Sequence, residues 1–259
     1  MKLIKGFYMA LGMFCAVPLP FHIWDEALMP VMVASLPLVG LLIGAVWWGA
    51  SLLLTALNLP HMLVAAVLTV VPFWVAGFIH LDGFMDTSDA HLSRRNLEDK
   101  YRILKDPNVG AFAVIMVVIL ILLQFSAMYS ITENADYLTL LITVCVLSRS
   151  CSALSVLILR HMPGSNYAAM IAKSSGVSSI IFVVAVALVT VILSFIYAGV
   201  FGLIVCATIV VGYAAAMRVV YKSFKGISGD LLGYAMVIGE LCGIIALALI
   251  KVWSLECGV

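Results

Sequence analysis

Charge is what this chain has least of. Its 259 residues contain 14 Lys and Arg and 13 Asp and Glu, so 10% are charged and 64% are hydrophobic. A soluble domain carries about 25% charge. With a mean hydropathy of +1.20, the composition excludes a soluble globular domain. Between Glu26 and Asp82, and again between Lys173 and Arg218, there is not one Asp, Glu, Lys or Arg. Runs of that length fit pairs of membrane spans of about 20 residues each. Other absences exclude further classes. The net charge is +1 and there is no basic arm or stacking pattern, so nothing points to nucleic acid. The six cysteines lack CxxC spacing and mostly lie in apolar runs, which argues for small core residues and against a metal or disulfide framework. Lys2 and Lys5 precede a short apolar run, but Pro18 and Pro20 follow it with no small-x-small cleavage pattern, so the segment reads as uncleaved.

The charge that is present falls in few places. The apolar stretches give an all-α, polytopic membrane helical bundle. It has about seven transmembrane helices, near 31–57, 61–80, 110–131, 138–160, 178–197, 200–217 and 236–253, plus an N-terminal interfacial or re-entrant helix within 3–20. The whole chain, 1–259, reads as a single integral membrane domain. With the N-terminus in the cytoplasm, Lys2, Lys5, the cations of 94–105, Arg160, Lys173, Arg218, Lys222 and Lys225 all lie on the cytoplasmic side. The opposite loops, 58–60, 132–137 and 198–199, hold no cation, and Lys251 is the one exception.

One stretch, His80 to Phe112, holds most of the chemistry. Asp82, Asp86 and Asp89 stand at i, i+4 and i+7, which on a helix stacks three carboxylates on one face. Such groups repel unless a cation lies between them, and hard oxygen ligands suit Mg²⁺, Mn²⁺ or Ca²⁺. The alternative is a solvated acidic turn. His80 has two readings, a base or carboxylate partner and an interface histidine; His22, His61 and His91 read as surface. Arg94, Arg95, Lys100, Arg102 and Lys105 follow. They serve topology, and Arg102 and Lys105, beside Asp106, are the candidates for phosphate contact. Asp106 opens Asp-Pro-Asn-x-Gly, a turn sequence, and is a candidate fourth metal ligand. Arg149 lies mid-span and needs an anionic partner; Glu240 and a substrate phosphate are both open. In Gly226-Ile-Ser-Gly229-Asp230-x-x-Gly233, the glycines permit an anion-binding backbone, with Asp230 as N-cap; a plain capped turn is the alternative.

These residues resemble the cobalamin synthase family. The motifs are Pro18-x-Pro20-x-x-x-Trp24, Pro37-Leu-Val-Gly40-x-x-Ile-Gly44, the His80–Ala90 block HLDGFMDTSDA, the Ile103–Phe112 block ILKDPNVGAF, Leu147-Ser-Arg149 and Gly226-Ile-Ser-Gly-Asp230…Glu240. They span nearly the whole chain. Ala90 stands where a glycine is common, and Cys15-Ala16 where Thr-Arg is often seen. The resemblance implies an inner-membrane, Mg²⁺-dependent transferase of cobalamin biosynthesis. It would join the corrin phosphate of adenosylcobinamide-GDP to α-ribazole or its 5′-phosphate and release GMP. In this reading Asp82, Asp86, Asp89 and Asp106 are metal ligands, and Lys105, with Asp89 or His80 as base, serves the chemistry. Arg102, Arg149, Gly229 and Asp230 contact substrate phosphates. Oligomeric state, a homo-oligomer included, stays open. Two other classes compete. A CDP-alcohol phosphotransferase shares the Asp-x-x-Asp element but needs an Ala-Arg that Asp86–Arg94 lacks. A cation-coupled transporter would scatter ionisable groups across mid-membrane.

Overall fold

The computed structural model describes residues 2–21, 23–132, 137–163 and 177–257, with side chains through 250. Every element in it is helical. The expectations for His22, the acidic segment from 133, most of the 161–176 loop and the Lys251 side chain lie outside the described residues.

Helix α1 (Lys2–Phe14) has 13 residues, or about 20 Å at 1.5 Å per residue. That is short of the roughly 30 Å apolar thickness of a bilayer. It buries Gly6, Met9 and Ala10, and it packs on α2 (Met29–Ala34) and α3 (Leu36–Ala56). The expected 31–57 span is thus divided at Ser35 into a short helix and a long one.

The second expected span, 61–80, is corrected more sharply. Helix α4 (His61–Val75) stops early, and α5 (Ile79–Leu92) departs at 91° to it. The cause is local. Gly77 takes φ +66°, and the Phe78 amide bonds back to the Phe73 carbonyl, a glycine-stopped helix end. Pro72, one turn earlier, cannot donate to the Leu68 carbonyl. Trp47 of α3 donates to that carbonyl instead, at 2.7 Å. Such a substitution is required where no water is at hand.

A short surface helix, α6 (Leu97–Ile103), follows, capped by Asn96, whose side chain accepts from the Asp99 amide. Helices α7 (Ala111–Thr132) and α8 (Leu140–Ile158) match their expected spans. Helix α9 (Val177–Phe224) runs 48 residues and turns at Gly199, φ +56°. The turn brings Gly202 against the Ser194 carbonyl, which leaves no room for a side chain there. Helix α10 (Gly229–Cys257) begins seven residues before the expected start of its span, so Gly229, Asp230 and Gly233 are helical and not loop.

Five described helices are long and apolar enough to cross a membrane, six if the bent α4–α5 pair counts as one span; α9 is counted once. Helices α8 and α10 are the most enclosed and form the centre of the bundle. Small residues permit this. A side chain at Gly40 of α3 would strike the Cys145 carbonyl of α8, and one at Gly44 the Ile142 backbone. Outside, Leu53, Trp74, Leu122, Leu188, Ile192 and Ile196 present an apolar surface. Of the cysteines, Cys145 and Cys206 are buried and Cys15, Cys151 and Cys242 partly so, all as free thiols.

Candidate active site

Three separated segments come together along α5: the helix itself, the start of α10 at Gly83 and the Lys105–Gly110 turn at Asp89. The acidic residues of α5 fall on a helix, as their spacing predicts. Asp82 is exposed; Asp86 and Asp89 are half-buried. The fourth carboxylate comes from far along the chain. Asp230, at the start of α10, lies over Gly83 of α5, where an added Cβ would sit 2.8 Å from the Asp230 Cα. The missing side chain is what lets the two helices touch here. Asp82, Asp230 and Asp89 all act electrostatically on Asp86. Stacked aromatic rings, Phe84 of α5 and Tyr234 of α10, lock the same contact with centroids 5.4 Å apart.

The third segment is the Lys105–Gly110 turn. Gly110 lies directly against the Asp89 carboxylate, with no room for a Cβ. Asp106 lies on the same turn. It is fully exposed, and its carboxylate accepts from the Asn108 amide and side chain at 2.9 and 2.7 Å. These bonds hold its carboxyl below the usual carboxylate range. The structure therefore brings Asp230 to the α5 carboxylates, while Asp106 is held by its bonds to Asn108. Asp230 is not the N-cap expected of it. Ser228 takes that place, accepting from the Leu231 amide, and Asp230 is the second helical residue.

The remaining candidates separate by depth. Lys105 is exposed on the turn. Arg102 is also exposed, paired with Asp99 one turn back at 2.8 Å. Arg149 is 1% exposed and bonds Glu240 of α10, the Ser148 hydroxyl and the Cys145 carbonyl. Of its two readings, the pairing with Glu240 is the one seen. His80 is 8% exposed, and its Nε2 has no hydrogen-bond partner among the described residues. His91 is corrected from surface to half-buried; its Nδ1 lies 3.0 Å from the Ser223 hydroxyl, to which Lys100 also donates.

Beside the carboxylates opens a cavity of about 330 Å³. Its lining mixes apolar side chains, among them Phe14, Val33, Val156 and Met236, with the polar residues His80, Ser152, His161, Ser228 and Asp230. Sequence reasoning missed Phe14, Ser152 and Met236, which carry no pattern of their own. The turn is fixed by a short parallel pairing, in which Ile227 donates to Arg160 and accepts from Met162, both at 3.0 Å. Gly226 permits it, since a side chain there would meet the Met162 amide.

A family model described as cobalamin-5-phosphate synthase matches residues 6–248. The chain belongs to the cobalamin-5-phosphate synthase family. Relatives named adenosylcobinamide-GDP ribazoletransferase agree over nearly the full length. One from Clostridium botulinum is 35% identical, covering 96% of this chain and 98% of its own. One from Clostridium perfringens is 36% identical over 95% and 98%. One from Geobacillus kaustophilus is 34% identical over 91% and 92%. No solved structure matches. Within the family match, the α5 block, the Lys105–Gly110 turn and the α10 start are three stretches that the fold brings to one place.

Carboxylate oxygens suit a hard divalent cation. Four of them near one another would repel without one. Among the described residues, however, no three His, Cys, Asp or Glu side chains converge closely enough to hold an ion. The donor chemistry is that of a hard divalent cation, but the carboxylates are not drawn into a closed ligand set among the described residues.

Proposed function

We infer that this chain joins the corrin phosphate of adenosylcobinamide-GDP to a hydroxyl of α-ribazole or its 5′-phosphate, with release of GMP. This is the nucleotide-loop assembly step of cobalamin biosynthesis. The observation that carries the site is the packing of the Asp230 backbone on Gly83 of α5, which sets Asp230 within electrostatic reach of Asp86 although the two are far apart in the sequence, in a chain of this family.

In chemical terms, the bond that forms is between the ribazole oxygen and the phosphorus nearest the corrin. The bond that breaks is the phosphoanhydride, whose electron pair leaves on GMP. Phosphoryl transfer is mostly positioning and charge stabilisation. Bound to Asp82, Asp86, Asp89 and Asp230, Mg²⁺ would supply positive charge to the diphosphate. The chain's own groups do the rest. Lys105, exposed on the turn whose Gly110 lies against Asp89, would meet a phosphate oxygen of the bound diphosphate. Arg102 reaches the same side once it leaves Asp99. Asp89 stands nearest the turn and is our choice for the group that takes the ribazole proton. Gly229 opens α10 with free space around it, so its amide can face an anion. Arg149 holds α8 to α10 below this layer.

For topology, dividing α9 at Gly199 and taking α4–α5 as one bent span gives seven crossings, with α1 lying in the interface. A cytoplasmic N-terminus then sets the acidic cluster, the basic turn and the cavity mouth on the cytoplasmic side of the inner membrane. The deciding experiment is GMP release by purified protein in lipid, given adenosylcobinamide-GDP and α-ribazole 5′-phosphate, with and without Mg²⁺. Mg²⁺-dependent GMP in step with a joined corrin product is expected. Turnover that persists in full after chelation would remove the metal from the reading.

A further inference from the structure

Helix α9 ends at Phe224. A helix leaves its last four carbonyls without a partner, and a common stop is a glycine in the left-handed region. Here the next residue is Lys225, with φ +56°, a conformation that an L side chain disfavours. Two residues of α6 stand at this end. The Tyr101 hydroxyl donates to the Phe224 carbonyl at 2.7 Å. The Lys100 ammonium lies over the Phe224 ring, 5.7 Å from its centre, where a cation meets the negative end of the helix. Phe224 itself is fully buried, so packing also fixes the capped end.

Lys100 also ties α6 to α5. It donates to the Ser223 hydroxyl at 2.7 Å, and His91 Nδ1 lies 3.0 Å from the same oxygen. An ammonium group only donates, so Ser223 accepts from Lys100 and keeps its own hydrogen for His91. Three helices thus meet at one hydroxyl. The chain that leaves this junction on either side belongs to the site. On one side Leu104 is buried, and the Leu104, Lys105 and Asp106 amides donate to the Lys100, Arg102 and Ile103 carbonyls. The Lys105–Gly110 turn therefore grows directly out of α6. On the other side, residues 225–228 lead to Asp230, pinned by the backbone bonds of Ile227 to Arg160 and Met162.

We propose that Lys100 and Tyr101 are positioning residues for the transfer reaction: they hold the stop of α9 at Phe224, and so fix the Lys105–Gly110 turn and the start of α10 relative to each other. The proposal rests on the ribazole-transfer reading above. Both residues act through other groups and not on substrate. Without the Tyr101 bond, Lys225 relaxes toward the helical conformation, α9 runs on, and the segment that carries Asp230 loses its setting. Without Lys100, α6 loosens from α9 and α5, and Lys105 moves with it. A looser turn still reaches the phosphate but is aligned with it less of the time, so the loss falls on kcat.

The test makes Tyr101→Phe and Lys100→Met in the full chain in lipid nanodiscs, and thermal melting selects protein that remains folded. Each is expected to lower kcat for GMP release by about tenfold or more, with KM for adenosylcobinamide-GDP and for α-ribazole 5′-phosphate unchanged. A second readout needs no turnover. Spin labels on Val109→Cys and Lys222→Cys, in an otherwise cysteine-free chain, should give a narrow distance distribution that broadens in both variants. A loss of stability alone would leave that distribution narrow in the folded protein. The third readout is rescue. Lys225→Gly, which suits the left-handed stop, should restore part of kcat to Tyr101→Phe. Three results would overturn the proposal: undiminished kcat in the folded variants, an unbroadened distribution, or no recovery with Lys225→Gly. Absent GMP release by wild-type protein would instead strike the transfer reading, and the label distances would still report on the junction.

Discussion

At the scale of single residues, the carboxylates and the buried ion pair make opposite demands. Asp86 sits among Asp82, Asp89 and Asp230, where removing a charge relieves repulsion. Asp86→Asn should therefore abolish transfer, read as GMP release, and leave the melting temperature the same or higher. An active, metal-dependent Asp86→Asn enzyme would refute its role as ligand. Glu240 behaves in the other sense. It is the acid that Arg149 bonds, and both are almost wholly buried. Glu240→Gln leaves a guanidinium uncompensated, and breaking such a pair costs about 3–5 kcal/mol. Denaturant unfolding in mild detergent should show this, and Arg149→Met together with Glu240→Leu should recover most of it. Both partners could be named from the sequence as intramembrane charges. Their pairing was one of two readings open in the sequence, and the α8–α10 contact is where it is seen.

At the scale of elements, the second membrane segment is the instructive one. By hydropathy alone, 61–80 is a span. Pro72 and Gly77 are both in that sequence, and both are known helix breakers, but a count of apolar residues weighs neither. The chain stops at Val75, turns by 91°, and only then builds the acidic helix. This turn is what carries α5 onto α10. The contact depends on Gly83, which has the Asp230 backbone against it. Gly83→Val should push the helices apart and separate Asp230 from the α5 carboxylates. The expected result is loss of most GMP release, with a smaller loss of thermal stability. Retained activity in folded Gly83→Val protein would show that Asp230 is dispensable. A parallel case is Trp47, whose indole bonds the carbonyl that Pro72 leaves free. Trp47→Phe keeps the packing and removes the donor. It should cost about 1–3 kcal/mol of stability in the same unfolding experiment, without altering KM for either substrate.

At the scale of the whole molecule, the topology proposed above puts the cation asymmetry and the site on one face. The prediction is topological. Single cysteines placed at Asn58 and at Asn96, in an otherwise cysteine-free chain, should label from opposite sides of intact cells with an impermeant maleimide. Asn58 should react from outside, and Asn96 only after permeabilisation. Labelling of both from one side would overturn the seven-span arrangement.

The sequence by itself determined the membrane class, because hydropathy is a sum over residues and needs no neighbours. It also determined the three carboxylates of α5, because a helical repeat fixes which side chains share a face. The family motifs followed from the same string. The bend after α4, the approach of Asp230 to the α5 carboxylates and the cavity lined by Phe14, His80, Val156 and Met236 were decided only by the tertiary structure. Each depends on which helices touch. In this chain that is set by where a missing side chain lets one backbone lie against another: Gly83 beneath Asp230, Gly40 beneath Cys145, Gly110 beside Asp89.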